Sequence, residues 1–183
     1  MSQVSFENRT VIVTGAGNGL GKAYAIELGN RGAKVVVNDL GGAVDGSGSG
    51  STPADEVVNE IISNGGEAVA NYDSVATKDG GESIVQSAID NFGTVDAVIN
   101  NAGILRDKSF AKLSEEELSL VIDVHLKGAF FVSQPAFKVM KEKNYGRIVN
   151  VASPSGLFGN FGQSNYGAAK TVSYTHLRAH ETG

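Results

Sequence analysis

Short apolar runs, separated by longer stretches of helical period, recur along this chain. Val11-Ile12-Val13 predicts a buried strand, and Leu20 to Asn30 a helix after it. Lys34 to Asn38 predicts a second strand. A Gly/Ser-rich loop follows from Gly41 to Ser51, then a helix capped by Thr52 with Pro53 at its first position, running to about Asn64 and stopping at Gly65-Gly66. Glu67 to Asn71 predicts a third strand, Gly81 to Asn91 a third helix and Val95 to Ile99 a fourth strand. Ser114-Glu115-Glu116-Glu117 has the form of a capping box opening a long helix to about Lys141, which Pro135 should kink. Arg147 to Val151 predicts a fifth strand, and a sixth helix begins near Ser164. Continuous β-branched runs, rather than strict alternation, fit strands covered on both faces. Strand and helix alternating without repeats or a linker predict one α/β domain built on a doubly wound parallel sheet.

Composition narrows what such a domain does. The chain has 183 residues, enough for one domain with a hydrophobic core. Its net charge of −5, with basic residues scattered, argues against a nucleic-acid partner. With no cysteine there are no disulfides or thiolate metal sites. His125, His176 and His180 do not make up a metal set, so no metal is expected. The first nine residues are polar and lack the apolar core of a signal peptide, and no apolar run approaches a membrane span. A soluble intracellular protein without a membrane partner is expected.

The first strand and first helix are joined by Thr14-Gly15-Ala16-Gly17-Asn18-Gly19-Leu20-Gly21. In that context a glycine-spaced turn predicts a dinucleotide cradle on a sheet of Rossmann type. Glycines let the backbone approach a pyrophosphate, and the helix N-terminus offers free N–H groups to it. Gly15, Asn18, Gly19, Leu20 and Gly21 are the candidate contacts. Asp39, closing the second strand, can accept from adenosine ribose hydroxyls and would repel a 2′-phosphate, which favours NAD over NADP. Asp73 and Ser74 after the third strand, and Asn101 after the fourth, lie where ligands bind in open α/β sheets. Asp73 can accept from an adenine amino group. Asn101 can either line the adenosine half of the cleft or bond across the sheet.

Tyr166 and Lys170 stand four apart in a helical stretch, so both project from one face. A free tyrosine ionises at about pH 10, too high for a base near neutrality. A neighbouring ammonium favours the phenolate, so the pair can move a proton between an alcohol and a carbonyl. Lys170 can also hold nicotinamide ribose hydroxyls. Ser153, at the end of the fifth strand, can hydrogen-bond the reacting oxygen.

Taken together, these residues resemble the short-chain dehydrogenase/reductase family. The likeness runs over about residues 6 to 171, through TGxxxGxG at 14–21, Asn100-Asn101-Ala102-Gly103, Ser153, Tyr166 and Lys170. The segments at 37–42, 70–75, 102–107 and 159–163 resemble most the (3R)-hydroxyacyl-CoA dehydrogenase units of type 2 peroxisomal multifunctional enzymes and their bacterial single-domain relatives. The resemblance implies NAD-dependent oxidation of a 3-hydroxyacyl-CoA to the 3-ketoacyl-CoA in fatty acid metabolism, with an acyl-CoA as the small-molecule partner. It also implies assembly as a dimer or tetramer through the long helices, and a cytoplasmic site in a bacterium or a peroxisomal one in a eukaryote. A carrier-protein 3-ketoacyl reductase, another short-chain alcohol dehydrogenase and a non-catalytic dinucleotide-binding module are the alternatives. The wider family usually carries Asn in a Val-Asn-Leu segment of the long helix. Here Val124-His125-Leu126 puts His125 in that place, either supporting a water in a proton relay or packing as a helix histidine.

Past Lys170 the family continues with more helix and two further strands. Here the string from Val172 to Thr182 can be encoded, in frame, by a transposase adapter used for sequencing libraries. The expectation is an incomplete dehydrogenase domain at 1–171, truncated after about five strands and the start of the sixth helix. Residues 172–183 are expected to be a non-native tail outside fold reasoning. The fifth strand should then be an open sheet edge, and the chain as it stands unstable and largely inactive.

Overall fold

A computed structural model of the chain describes residues 4–48, 50–175 and 177. The strands are β1 Thr10–Thr14, β2 Lys34–Asn38, β3 Glu67–Asn71, β4 Ala97–Asn100 and β5 Arg147–Asn150. The helices are α1 Gly19–Asn30, α2 Thr52–Ser63, α3 Lys78–Phe92, α4 Glu115–Ile122, α5 Gly128–Glu142, the single turn α6 Ser155–Phe158 and α7 Ser164–Thr175. The five strands are all parallel, in the order β3-β2-β1-β4-β5. The chain starts in the middle, winds outward through β2 and β3, then returns across β1 to β4 and β5. The order therefore reverses between β1 and β4, and a crevice opens beyond their C-terminal ends.

Both faces of the sheet are covered, as the apolar runs require. Val11 and Val13 of β1, with Val35 and Val37 of β2, pack against Ala25 of α1 and Val57 and Ile61 of α2. The intervening Ile12 and Val36 face the other way, onto Ile84 and Val85 of α3 and Val132 and Ala136 of α5. Each such side chain, fully removed from water, contributes roughly 1.5–3 kcal/mol. β5 differs. It is an edge of the described sheet, and Ile148 and Val149 are 38% and 49% exposed.

Several boundaries depart from the sequence expectation for local reasons. α2 is preceded by Ser51 at the cap position, so Thr52 is already helical. α3 begins at Lys78 rather than Gly81, because the Thr77 hydroxyl accepts the Gly80 N–H at 3.1 Å and caps it. β4 starts at Ala97, two residues after the expected Val95. Asp96 turns its carboxylate to the Thr10 N–H at 2.8 Å and the Lys143 ammonium at 2.7 Å. The capping box at Ser114 is present in both directions. The run it opens is interrupted at a π-helical turn, Asp123–Lys127, while Pro135 sits inside the α5 span. α6 and a 3₁₀ turn at Phe110–Lys112 were not foreseen. α7 carries on through Val172–Thr175, the first residues of the tail. His176 and residues 178–183 lie outside the described residues.

Candidate active site

The C-terminal ends of the strands carry a row of polar residues in register: Thr14 opposite Asn38, Asn38 opposite Asn71, and Asn100 opposite Asn150. Buried amides there need partners, and they find each other. Asn38 Nδ2 donates to Asn71 Oδ1 and Asn100 Nδ2 to Asn150 Oδ1, both at 2.8 Å. This row is the floor on which the site is built.

Above it, a cleft of about 450 Å³ is lined by Gly15, Asn18, Gly19, Asp39, Asp73, Ser74 and Asn101, among others. These seven expected contacts are thus brought together. Leu20 and Gly21 fall outside that lining. Leu20, the second residue of α1, is 62% exposed, and Gly21 is buried in the same turn. Gly15 and Gly19 hold φ of +62° and +55°, a region that side chains disfavour. At Gly15 a Cβ would also lie 2.7 Å from Ala102 Cα. At Gly19 nothing lies within 4 Å, so the backbone at the start of α1 faces open space.

The loops around the cleft are pinned by side chains. Asp39 accepts the Gly17 N–H on one oxygen and the Gly41 N–H on the other, each at 2.7 Å, so it fastens the glycine turn to the loop after β2. Asp73 accepts from Asn71 Nδ2 at 2.9 Å and Ser83 Oγ at 2.7 Å. Asn101 does both things open to it. It lines the cleft and donates from Nδ2 to Thr14 O and Gly15 O, each at 3.0 Å. The Thr14 hydroxyl completes this clamp by accepting the N–H groups of Asn101 and Ala102 at 3.1 Å.

Tyr166 and Lys170 lie on α7, with the ammonium 5.9 Å from the phenol ring centroid. Lys170 is only 6% exposed and donates to Val151 O at 2.7 Å. Burial pulls its pKa down from 10.5 to about 8. His125 also packs on the tyrosine in a T-shaped contact, with ring centroids 5.1 Å apart. Its Nε2 is 3.0 Å from the Ile104 N–H and 2.8 Å from Ile104 O, and its Nδ1 is buried without a hydrogen-bond partner among the described residues. Burial first, then the Lys170 charge, push its pKa from 6.5 to about 4, so the ring is neutral at physiological pH. A cavity of about 10 Å³, near the lower bound for one water, is lined by His125, Lys170, Asn100 and Asn150 and shares Val75, Ala102 and Val124 with the larger cleft. Ser153 follows β5, and its Oγ accepts the Ser155 N–H at 3.3 Å.

Two carboxamides that sequence reasoning passed over hold the start of α7. Asn165 is buried. Its Oδ1 accepts the Tyr166 N–H at 2.8 Å, while Nδ2 donates to Arg106 O at 3.0 Å. Gln163 accepts from Ser155 Oγ and donates to Asp107 Oδ2, both at 2.9 Å. Asn165 sits one position and Gln163 three positions before the tyrosine, in a polar stretch that reads as an ordinary helix start. The π turn bearing His125 was also missed, and such turns recur at functional sites.

Comparison with known proteins identifies the family. A family model described as short chain dehydrogenase matches residues 9–182. The peroxisomal hydratase-dehydrogenase-epimerase of Saccharomyces cerevisiae is 59% identical over 167 residues, which are 91% of this chain and 18% of that protein. A short-chain type dehydrogenase/reductase of Mycobacterium tuberculosis is 58% identical over 90% of this chain and 57% of its own length. Among solved structures, a short chain dehydrogenase from Mycobacterium avium superposes with a TM-score of 0.82 at 46% identity, covering 90% of this chain and 59% of that one. The chain thus spans less than two thirds of these relatives. It belongs to the short chain dehydrogenase family.

Proposed function

We propose that the short chain dehydrogenase to which residues 1–171 belong oxidises a 3-hydroxyacyl-CoA to the 3-ketoacyl-CoA with NAD, and reduces the ketone in the reverse direction; turnover is expected of that protein rather than of the chain as it stands. The observation that carries the redox reading is Tyr166 beside both the Lys170 ammonium and the neutral His125 ring, two groups that line a small cavity sharing Val75, Ala102 and Val124 with the cleft. The acyl-CoA substrate is supported by the likeness to relatives named as peroxisomal multifunctional enzymes, among them the mouse type 2 enzyme at 55% identity.

The cleft fits a dinucleotide. Gly15, Asn18 and Gly19 present backbone to it, and the free N–H groups at the start of α1 suit a pyrophosphate. Asp39 presents a carboxylate at the adenosine end, where ribose hydroxyls can donate to it and a 2′-phosphate would be repelled. When bound, the nicotinamide supplies the hydride acceptor. The residues of the chain handle the proton and the oxygen. Ser153 hydrogen-bonds the reacting hydroxyl, and Tyr166 takes its proton as the C–H bond gives up its hydride. Lys170, one turn on, places positive charge beside the phenol. A water in the small cavity, which His125 and Lys170 both line, would give His125 Nδ1 a partner.

Replacing Tyr166 by Phe in the protein to which residues 1–171 belong tests the reading. Turnover of a 3-hydroxyacyl-CoA should fall by about a hundredfold or more, while calorimetric NAD affinity stays within twofold. Undiminished turnover would remove the proposal. Tighter binding of NADPH than NADH would instead favour a carrier-protein ketoacyl reductase. The reading concerns residues 1–171. We propose that residues 172–183 are foreign to it, and an uninterrupted native gene encoding them would overturn that part alone.

A further inference from the structure

The stretch from Ser153 to Phe158 lies just beyond β5 and contains only the single turn α6, too short to hold its shape alone. Ser153 is half-buried in it, and a serine hydroxyl can swing among staggered positions. Its oxygen accepts the Ser155 N–H at 3.3 Å, which leaves its own proton to donate. The aim of Ser153 therefore follows the placement of Ser155.

Ser155 is placed from across the loop. Its hydroxyl donates to Gln163 Oε1 at 2.9 Å, and Asn160 Nδ2 donates to the same oxygen at 3.0 Å. The other end of that amide, Nε2, donates to Asp107 Oδ2 at 2.9 Å, in the loop after β4. A carboxamide can offer either end to a hydroxyl, whereas an ionised carboxylate only accepts. Asp107 thus holds Nε2 towards itself and turns Oε1 to Ser155. The backbone on either side of Asp107 is itself fixed. Arg106 O accepts from Asn165 at 3.0 Å, and the Lys108 N–H donates to Gly162 O at 2.8 Å. Gln163, immediately before α7, therefore ties the stretch bearing Ser153 to an anchored loop.

We propose that Gln163 is a positioning residue for Ser153. It holds Ser155, and through the Ser155 N–H it aims the Ser153 hydroxyl at the reacting oxygen, while Asp107 fixes which end of the amide faces Ser155. The inference rests on the proposed function for the role of Ser153. The test uses the protein to which residues 1–171 belong, as wild type, Q163M, D107N, S153A and S153A/Q163M. Methionine keeps the length of the side chain and removes both hydrogen bonds. Q163M should lower kcat for a 3-hydroxyacyl-CoA by about tenfold, with KM and calorimetric NAD affinity within twofold of wild type. In S153A no hydroxyl remains to aim, so S153A/Q163M should turn over within twofold of S153A. Amide hydrogen exchange at Ser155, followed by NMR, should quicken by about tenfold in Q163M. D107N, at an exposed position, removes the acceptor-only partner and should move kcat and exchange the same way at smaller amplitude. It carries the test if Q163M does not fold. Ser155 exchange unchanged within twofold, a further tenfold loss on the S153A background, or NAD affinity falling in step with kcat would each overturn the proposal. Failure of the redox reading shows separately, as wild type without turnover, and the exchange rate at Ser155 then still decides whether Gln163 holds that residue.

Discussion

His125 should make this fold sensitive to mild acid, and replacing it with Asn should remove that sensitivity. The ring is 9% exposed, and its pKa in the folded chain is about 4 against an ordinary 6.5. Between those values the unfolded chain binds a proton that the folded chain refuses. Stability therefore falls as pH drops from 6.5 towards 4, by about 1.4 kcal/mol per pH unit at most and about 3 kcal/mol in total, and this component is flat outside the window. Asn suits the site for a second reason. Nε2 faces both the N–H and the C=O of Ile104, at 3.0 and 2.8 Å, but one ring nitrogen can only accept or donate. A carboxamide has one group for each.

The assay is urea unfolding of wild type and H125N, followed by circular dichroism, from pH 7.5 to 4.5. Subtracting one stability curve from the other cancels every other titrating group. The difference should be constant above pH 7 and move in favour of H125N by about 2 kcal/mol or more at the acid end. The Cε1–H proton resonance, assigned by its absence in H125N, reports the same event directly and should stay at its neutral position through pH 6. A flat difference curve, or a resonance titrating near 6.5, would refute the claim that burial and the Lys170 charge keep this ring neutral.

Other outcomes follow from the same contacts. Lys170 holds its proton less well folded, at about 8, than unfolded, at 10.5, so stability should rise with pH across that window. K170M should lose this rise, losing turnover while gaining about 1–3 kcal/mol at pH 7 by chemical denaturation. N165A should lower kcat by about tenfold through misplacement of Tyr166 while leaving KM and NAD affinity near wild type. An equal fall in NAD affinity would instead show general damage. G15A should destabilise the chain and abolish calorimetric NAD binding, because the new Cβ meets Ala102 Cα and the backbone is held at φ +62°. N101A, by freeing Thr14 O and Gly15 O, should cost about 1–3 kcal/mol.

What could be read from the sequence, and what could not, divides by the range of the interaction responsible. The strands were legible because runs such as Val35-Val36-Val37 have one use, burial on both sides of a parallel sheet, and that is where they lie. The glycine turn and the Tyr166, Lys170 pair were legible because each is a local spacing in one element. His125 was ambiguous because its role depends on Ile104, which is distant in sequence and offers only backbone atoms, so no residue type at 104 announces the bond. Asn165 and Gln163 were missed for the same reason, since their partners include the carbonyl of Arg106 and the carboxylate of Asp107. The helix interruption was assigned to Pro135, whose ring is a visible breaker. The turn that widens holds no proline or glycine, only Asp123 to Lys127, and it carries His125, whose ring reaches Ile104 in the loop after β4. Positioning groups that act through backbone leave no composition signal. Asn165 is such a group, since its Oδ1 holds the Tyr166 N–H, and the N165A comparison of kcat against cofactor affinity separates the placement of the tyrosine from its own chemistry.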